Sequence, residues 1–257
     1  MTTTTTDIAT IEPIARRTDA APVAAAAYEQ LLDLLRSLDA SDWLRETECP
    51  GWSVADVVGH LIGAAKANAS LRENLRQQSR GMRRRGAHAD NPLDAVNALQ
   101  VDDHRDLSPG DRVGVLTELA PRAVAGRMRL PRLLRPLSVP IAQSGSSVGM
   151  PPRLQLGHLV DVVYTRDVWM HTVDVARATD RALDLTQPVN ARIVADVVRE
   201  WQGSHGQPVD LTLTGASGGH FVAGNGSEHL ELDAVEFCRA LSGRVQGDGL
   251  LRHLVIF

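Results

Sequence analysis

Apolar residues recur at three- and four-residue intervals through most of the first two hundred positions and alternate with polar ones after Gly203, so the chain reads as helical first and stranded later. Leu31, Leu34, Leu35 and Leu38 mark the inner face of a helix expected over residues 20–38, and the alanines before them raise its propensity. In CPGWSVADVVGHL, Ser53 is placed to cap a second helix, with Asp56 three residues on and Trp52 and Val57 flanking it as a staple. Helical periodicity continues over residues 92–105, 111–128, 156–179 and 190–201, the last turning Ile193, Val194, Val197 and Trp201 inward. The Pro- and Gly-punctuated LPRLLRPLSVPIAQSGSSVGMPP predicts a long irregular connection. VDLTLTG, GHFVAG and EHLELD predict strands, DAVEFCRALSGR a helix and LLRHLVIF a closing strand. The expected organisation is a flexible tail over residues 1–17, a helical domain over 18–182 and a small α/β domain over 183–257.

One helix carries residues that do not belong in a core. In YTRDVWMHTVDVA, Asp167, His171 and Asp174 fall within about 60° of the centre of the apolar stripe that holds Leu156, Val160, Val163, Tyr164, Val175 and Ala178, on a wheel of about 100° per residue. An ionised carboxylate buried alone is too costly, so the trio must be paired, hydrogen-bonded or bound to a metal. Asp167 and His171, four apart, lie one turn above each other and can reach one ion. His60, at the edge of the apolar face of the helix capped by Ser53, supplies a third candidate. Two imidazoles and one carboxylate would leave a zinc ion an open fourth position, the pattern of catalytic sites. The same spacing also suits an internal hydrogen bond or an ion pair, and Asp174 suits a partner for a ligand imidazole, a substrate contact or a helix-end cap.

Composition narrows the classes. With 43% hydrophobic and 23% charged residues the chain is an ordinary globular protein able to bury a core. A net charge of -4 argues against a dedicated nucleic-acid binder. The two cysteines, Cys49 and Cys238, are far apart and in no C-x-x-C pair, which points to reduced thiols in a cytoplasmic protein, and no run of about 18 apolar residues is present to span a bilayer.

These motifs resemble the mycothiol-dependent maleylpyruvate isomerase family, within the wider DinB-like metalloproteins, over most of the chain. ECPGWSVADVVGHL is similar to the family's Cys-x-Gly-Trp-Thr-Val helix start, which ends in the first metal histidine and falls on His60. RDVWMHTVDVARATD is similar to the motif supplying a carboxylate, a histidine four residues on and a further aspartate, roles that fall on Asp167, His171 and Asp174. FCRALSGR is similar to the family's C-terminal domain, where an arginine after glycine is implicated in activity, here Arg244. Asp167 stands where the family's characterised isomerases carry glutamate, one methylene longer.

The resemblance implies a fold of the α plus α/β class, an N-terminal DinB-like four-helix bundle with a small C-terminal sterol-carrier-like α/β domain. It implies Zn²⁺ or another divalent cation on His60, Asp167 and His171, mycothiol as co-substrate, and catalytic roles for Arg244 and Asp174. The expected function is a metal- and mycothiol-dependent enzyme whose activated thiolate attacks an electrophilic small molecule, as an S-transferase or a maleylpyruvate-type cis–trans isomerase. Its partners are then that electrophile and a low-molecular-weight thiol, with no nucleic acid and no membrane, and a homodimer left open. The alternative is a non-catalytic metal-binding or small-molecule-binding regulatory protein, which the lack of paired cysteine ligands disfavours.

Other features have plainer readings. Lys66, Arg72, Arg76, Arg80, Arg83, Arg84 and Arg85 suit either a phosphate grip or, lacking interleaved aromatics, a solvated face. Arg127, Arg129, Arg132 and Arg135 suit a lid over an anion or simple solvation. His158 is expected in solvent, His220 and His229 on the surface, and Cys49 packed against Trp52.

Overall fold

The computed structural model describes residues 5–84, 92–140, 148–225 and 229–257. They divide into two compact units: Ala20–Ala142 with Leu154–Leu183, and Met1–Asp19 with Gln143–Arg153 and Asp184–Phe257. The chain is mostly helical with a small sheet, and among the described residues no helix is long and apolar enough to cross a membrane.

The first unit holds α1 (Ala20–Arg36), α2 (Val54–Ala69), α3 (Leu71–Arg84), α4 (Pro92–Asp102), α5 (Pro109–Met128), the short strands β2 (Ser138–Pro140) and β3 (Arg153–Gln155) at its edge, α6 (Leu156–His158) and α7 (Tyr164–Thr179). Ser53 caps α2 by accepting from the Asp56 N–H while Asp56 accepts from the Ser53 N–H, a reciprocal capping box that fixes where the helix begins. α2 packs against α3, α4 and α5, and α1 lies against α5 and α7. Two glycines set the closeness of these contacts. A Cβ on Gly126 would sit 2.1 Å from the Asn68 carbonyl oxygen, and one on Gly63 would sit 2.5 Å from the Gln100 side chain.

α3 escaped the hydrophobic pattern because its inward residues are not hydrophobic. Leu71, Leu75 and Met82 are exposed, while Gln77 and Gly81 are buried. The Gln77 amide donates to the Gly63 carbonyl at 2.9 Å and its oxygen accepts from Gln100 at 2.8 Å, so hydrogen bonds replace apolar contact. The expected continuous helix over 156–179 is interrupted by a π-helical turn at Leu159–Val163. The added residue rotates everything before Tyr164 off a 3.6-residue wheel. Asp161 is buried as a result, where Arg135 reaches it, and His158 is half-buried rather than solvated.

In the second unit a four-stranded sheet runs in the order β1-β5-β4-β6, from β1 (Thr5–Asp7), β4 (Val209–Thr214), β5 (Gly219–Ala223) and β6 (His229–Asp233). β4 is antiparallel to β5 and parallel to β6, and it turns Val209, Leu211 and Leu213 into the core. α8 (Pro188–His205) buries Ile193, Val194, Val197 and Trp201 completely, and Asp233 caps α9 (Ala234–Leu241) by accepting from the N–H groups of Val235 and Glu236.

Two expectations are corrected here. Residues 5–14 are no loose tail: the β-branched Thr5 and Thr6 pair in parallel with His220 and Phe221, Ile8 and Ile14 are buried, and the Ile14 N–H donates to Asp196 at 2.8 Å. LLRHLVIF is no strand. It holds a 3₁₀ turn at Gly249–Arg252, after which the Leu254 N–H goes to Val148 and the Val255 N–H to Leu241, two unrelated partners where a ladder needs one neighbour. Within the expected irregular connection, residues 141–147 lie outside the described residues.

Candidate metal centre

His60 comes from the second turn of α2, and Asp167 and His171 from consecutive turns of α7. His60 Nε2 lies 3.6 Å from one Asp167 oxygen and His171 Nε2 lies 3.5 Å from the other, and the three groups offer ligand atoms within 4.8 Å of one another. These gaps are too long for good hydrogen bonds. Each has the length, about 3.3–3.6 Å, of one edge of a tetrahedron whose centre is about 2.0–2.2 Å from its corners, the bond length of zinc to imidazole and carboxylate, and the two end on different oxygens of the one carboxylate. Both imidazoles are buried, and Asp167 is the half-buried member.

Asp174, fully buried one turn further, accepts from His171 Nδ1 at 2.9 Å. That bond holds a proton on Nδ1 and aims Nε2 at the cluster. The Cys49 thiol donates to the same Asp174 oxygen at 3.5 Å and lies 3.8 Å from His171 Nδ1. Cys49, His171 and Asp174 also form a compact ligand-type group. Within it the 2.9 Å separation of His171 Nδ1 from Asp174 is a hydrogen bond, which orients the His171 ring of the first group. Burial opposes charge on His171, but the Asp167 carboxylate, the bond to Asp174 and the Cys49 contact outweigh it and lift its pKa to about 10.

Trp52 closes one side, its ring 5.3 Å from that of His60 and 6.4 Å from that of His171, and the two imidazoles meet edge to face at 5.3 Å. His60 Nδ1 is buried without a partner among the described residues. Tyr164 opens α7; burial and then the Asp167 charge raise its hydroxyl to about 12, and burial likewise raises Tyr28 on α1.

The structure thus brings together His60, Asp167, His171 and Asp174 within the helical unit. Arg244 belongs to the other unit, where it follows Gly243 on the turn after α9 and donates its N–H to the Arg239 carbonyl at 3.0 Å. Sequence reasoning missed two neighbours. Cys49 touches the His171–Asp174 pair rather than serving only as packing, and Trp52 is a wall of the site. CPGW lies just before the Ser53 cap, so a short stretch of α2 separates it from His60; that proximity was the available signal.

Of the residues expected in solvent some are held inside, while others, Arg84 and His229 among them, stay exposed. Arg127 is buried at the end of α5, and Arg135 engages Asp161. Lys66 donates to His104 Nε2 at 2.8 Å, Arg76 pairs with Glu73 and Asp103, and Arg84 pairs with Asp102. His220 and His229 both contact the Asp210 carboxylate, at 2.7 and 3.2 Å. Arg85 lies outside the described residues.

His60, Asp167 and His171 thus converge from α2 and α7 of a helical unit, and the second unit is built on a small mixed sheet. The family profile described as "Mycothiol maleylpyruvate isomerase N-terminal domain" matches residues 24–176, more than half of the chain and all of the cluster, so the chain belongs to that family and its kinship is with enzymes. Two solved structures are similar in fold. The crystal structure of a mycothiol-dependent maleylpyruvate isomerase aligns with TM-score 0.55 at 15% identity, covering 95% of this chain and 94% of that one. The crystal structure of a histidine-to-alanine mutant of a mycothiol-dependent maleylpyruvate isomerase aligns with TM-score 0.55 at 14% identity, covering 93% of this chain and 92% of that one. No curated protein sequence matches.

Proposed function

We propose that the protein is a divalent-metal- and mycothiol-dependent enzyme in which a thiolate attacks an electrophilic small molecule, within a DinB-like four-helix bundle joined to a sterol-carrier-like unit. The observation that carries this reading is the separation of the Asp167 oxygens from two imidazole Nε2 atoms, 3.5 and 3.6 Å. His60, Asp167 and His171 would hold the cation. When bound, a divalent ion such as Zn²⁺ lowers the pKa of a thiol from about 8.5 far enough to make thiolate available at neutral pH.

The protein's own groups set the conditions for that chemistry. Asp174 holds a proton on His171 Nδ1, so the Nε2 proton is the one that an incoming cation would displace to bind the ring. Trp52 and the buried imidazoles keep one side of the site dry, which strengthens every charge interaction inside it. A thiolate adding to the double bond of an unsaturated carbonyl forms a C–S bond and moves the π electrons onto the carbonyl oxygen. Rotation about the new single bond and return of those electrons expel the thiolate, and the isomer departs with no net change in protons. Where the electrophile carries a leaving group, the thiolate instead forms the C–S bond as that group departs with its electron pair, which is the S-transfer outcome.

Maleylpyruvate, the substrate named for the related structures, is the first electrophile to assay. Arg244, in the role the resemblance gives it, is tested beside it: Arg244→Lys should lower turnover while leaving bound metal unchanged. The deciding experiment incubates the metal-loaded protein with mycothiol and maleylpyruvate, omitting metal and thiol in turn. Product or adduct that needs both supports the proposal; formation indifferent to either, or none with any electrophile of a panel, contradicts it.

A further inference from the structure

Arg112, Arg127 and Arg166 are the buried arginines of the helical unit among the described residues, and of these Arg127 has two unmatched donors. It lies in the last turn of α5, 2% exposed, and its Nη1 donates to the Thr165 hydroxyl at 3.2 Å. Nε and Nη2 are buried with no acceptor among the described residues. Burial holds this guanidinium below its ordinary pKa, against the opposing pull of Tyr28, Tyr164, Asp161 and Asp167, so these groups share one interior with it. The two carboxylates are engaged elsewhere: Asp161 is bridged by Arg135, and Asp167 faces the two imidazoles.

A buried charge whose donors meet no protein acceptor is costly and persists where something else completes it. The unmatched pair is informative. Nε and Nη2 form the side edge of the guanidinium, two parallel N–H groups spaced to take both oxygens of one carboxylate.

We propose that Arg127 is an anion anchor for this site, its Nε–Nη2 edge receiving a carboxylate of the small-molecule electrophile and so positioning the reacting carbon. This rests on the enzyme reading above and adds to it the residue that holds the electrophile's carboxylate. Asp167 adds negative charge to the interior, and Arg127 supplies the fixed positive charge that makes room for one more anion.

The test uses maleate as the probe, titrated calorimetrically into the full-length protein with and without zinc, beside the uncharged dimethyl maleate. Arg127→Met fills similar volume and removes a buried charge, so it should melt no lower than the parent. It should bind maleate about 10- to 100-fold more weakly, the range of a lost charge-assisted pair, with its zinc content unchanged. Arg127→Lys keeps a charge without the fork and should fall between the two. Dimethyl maleate should respond to neither substitution. Maleate affinity unchanged in Arg127→Met, or a parent that does not bind maleate, overturns the anchor. Zinc binding is read in the same samples, so a zinc-free parent whose maleate affinity still depends on Arg127 would sink the metal reading alone.

Discussion

His60→Ala separates the cluster's role in metal binding from its role in packing. Removing the imidazole forfeits its contact with Trp52, worth about 0.5–1.5 kcal/mol, and leaves a small cavity. It also removes the buried, unpartnered Nδ1, whose desolvation costs about 1–3 kcal/mol. The two roughly offset, so the metal-free variant should melt close to the metal-free parent. With zinc the balance changes. Four-ligand zinc sites gain roughly 10–16 kcal/mol, so one ligand accounts for about 3–4 kcal/mol, a loss of about 10²–10³ in affinity. At a free zinc concentration near 100 times the parent's Kd, binding stabilises the parent by about 2.7 kcal/mol but the variant by about 0.4 kcal/mol at most. At about 2–4 °C per kcal/mol for a unit of this size, the parent should gain about 5–11 °C and the variant about 1–2 °C. Thermal melts of both proteins, stripped and zinc-loaded, read this directly. A variant that keeps the full zinc shift, or a parent that shows none, refutes the assignment of His60 as a ligand.

Other predictions follow from the same geometry. Asp174→Asn keeps the size but not the charge of the group that orients His171, and should weaken zinc about 10- to 100-fold in a competitive chelator titration; an unchanged affinity would deny it a supporting role. Gly126→Ala should destabilise the helical unit by about 1–3 kcal/mol in denaturant titration, because the added carbon meets the Asn68 carbonyl; helix propensity alone predicts a gain of about 1 kcal/mol, so the sign decides. Arg76 holds Glu73 at a pKa of about 2, down from 4.5, so its contribution to stability is present above pH 4.5 and lost as pH falls towards 2. Glu73→Gln should therefore flatten the pH dependence of stability across that window, and an identical slope in parent and variant would contradict the pairing.

What the sequence disclosed, it disclosed where one interaction dominates. The Ser53–Asp56 box marks the start of α2 unaided, and the alternation in VDLTLTG marks β4, because capping and pleat are local. The D-x-x-x-H pair on α7 was legible because a turn of helix is a fixed length, and Asp174 followed three residues on. The rest depended on tertiary partners. α3 buries Gln77 and Gly81, which no hydrophobic pattern finds, and the π turn at Leu159–Val163 is invisible to a wheel of constant period. Arg127 resembles its solvated neighbours in composition, and only the packing of α5 shows it to be inside.

X-ray absorption spectroscopy of the zinc-loaded protein reads the proposed coordination of His60, Asp167 and His171 atom by atom. One zinc per chain is expected in a nitrogen and oxygen shell at about 2.0–2.2 Å, with the outer-shell signature of two imidazoles, reduced to one in His171→Ala. A sulfur shell at about 2.3 Å, which Cys49 would supply, or zinc that retains both imidazoles when His60 or His171 is removed, would contradict it.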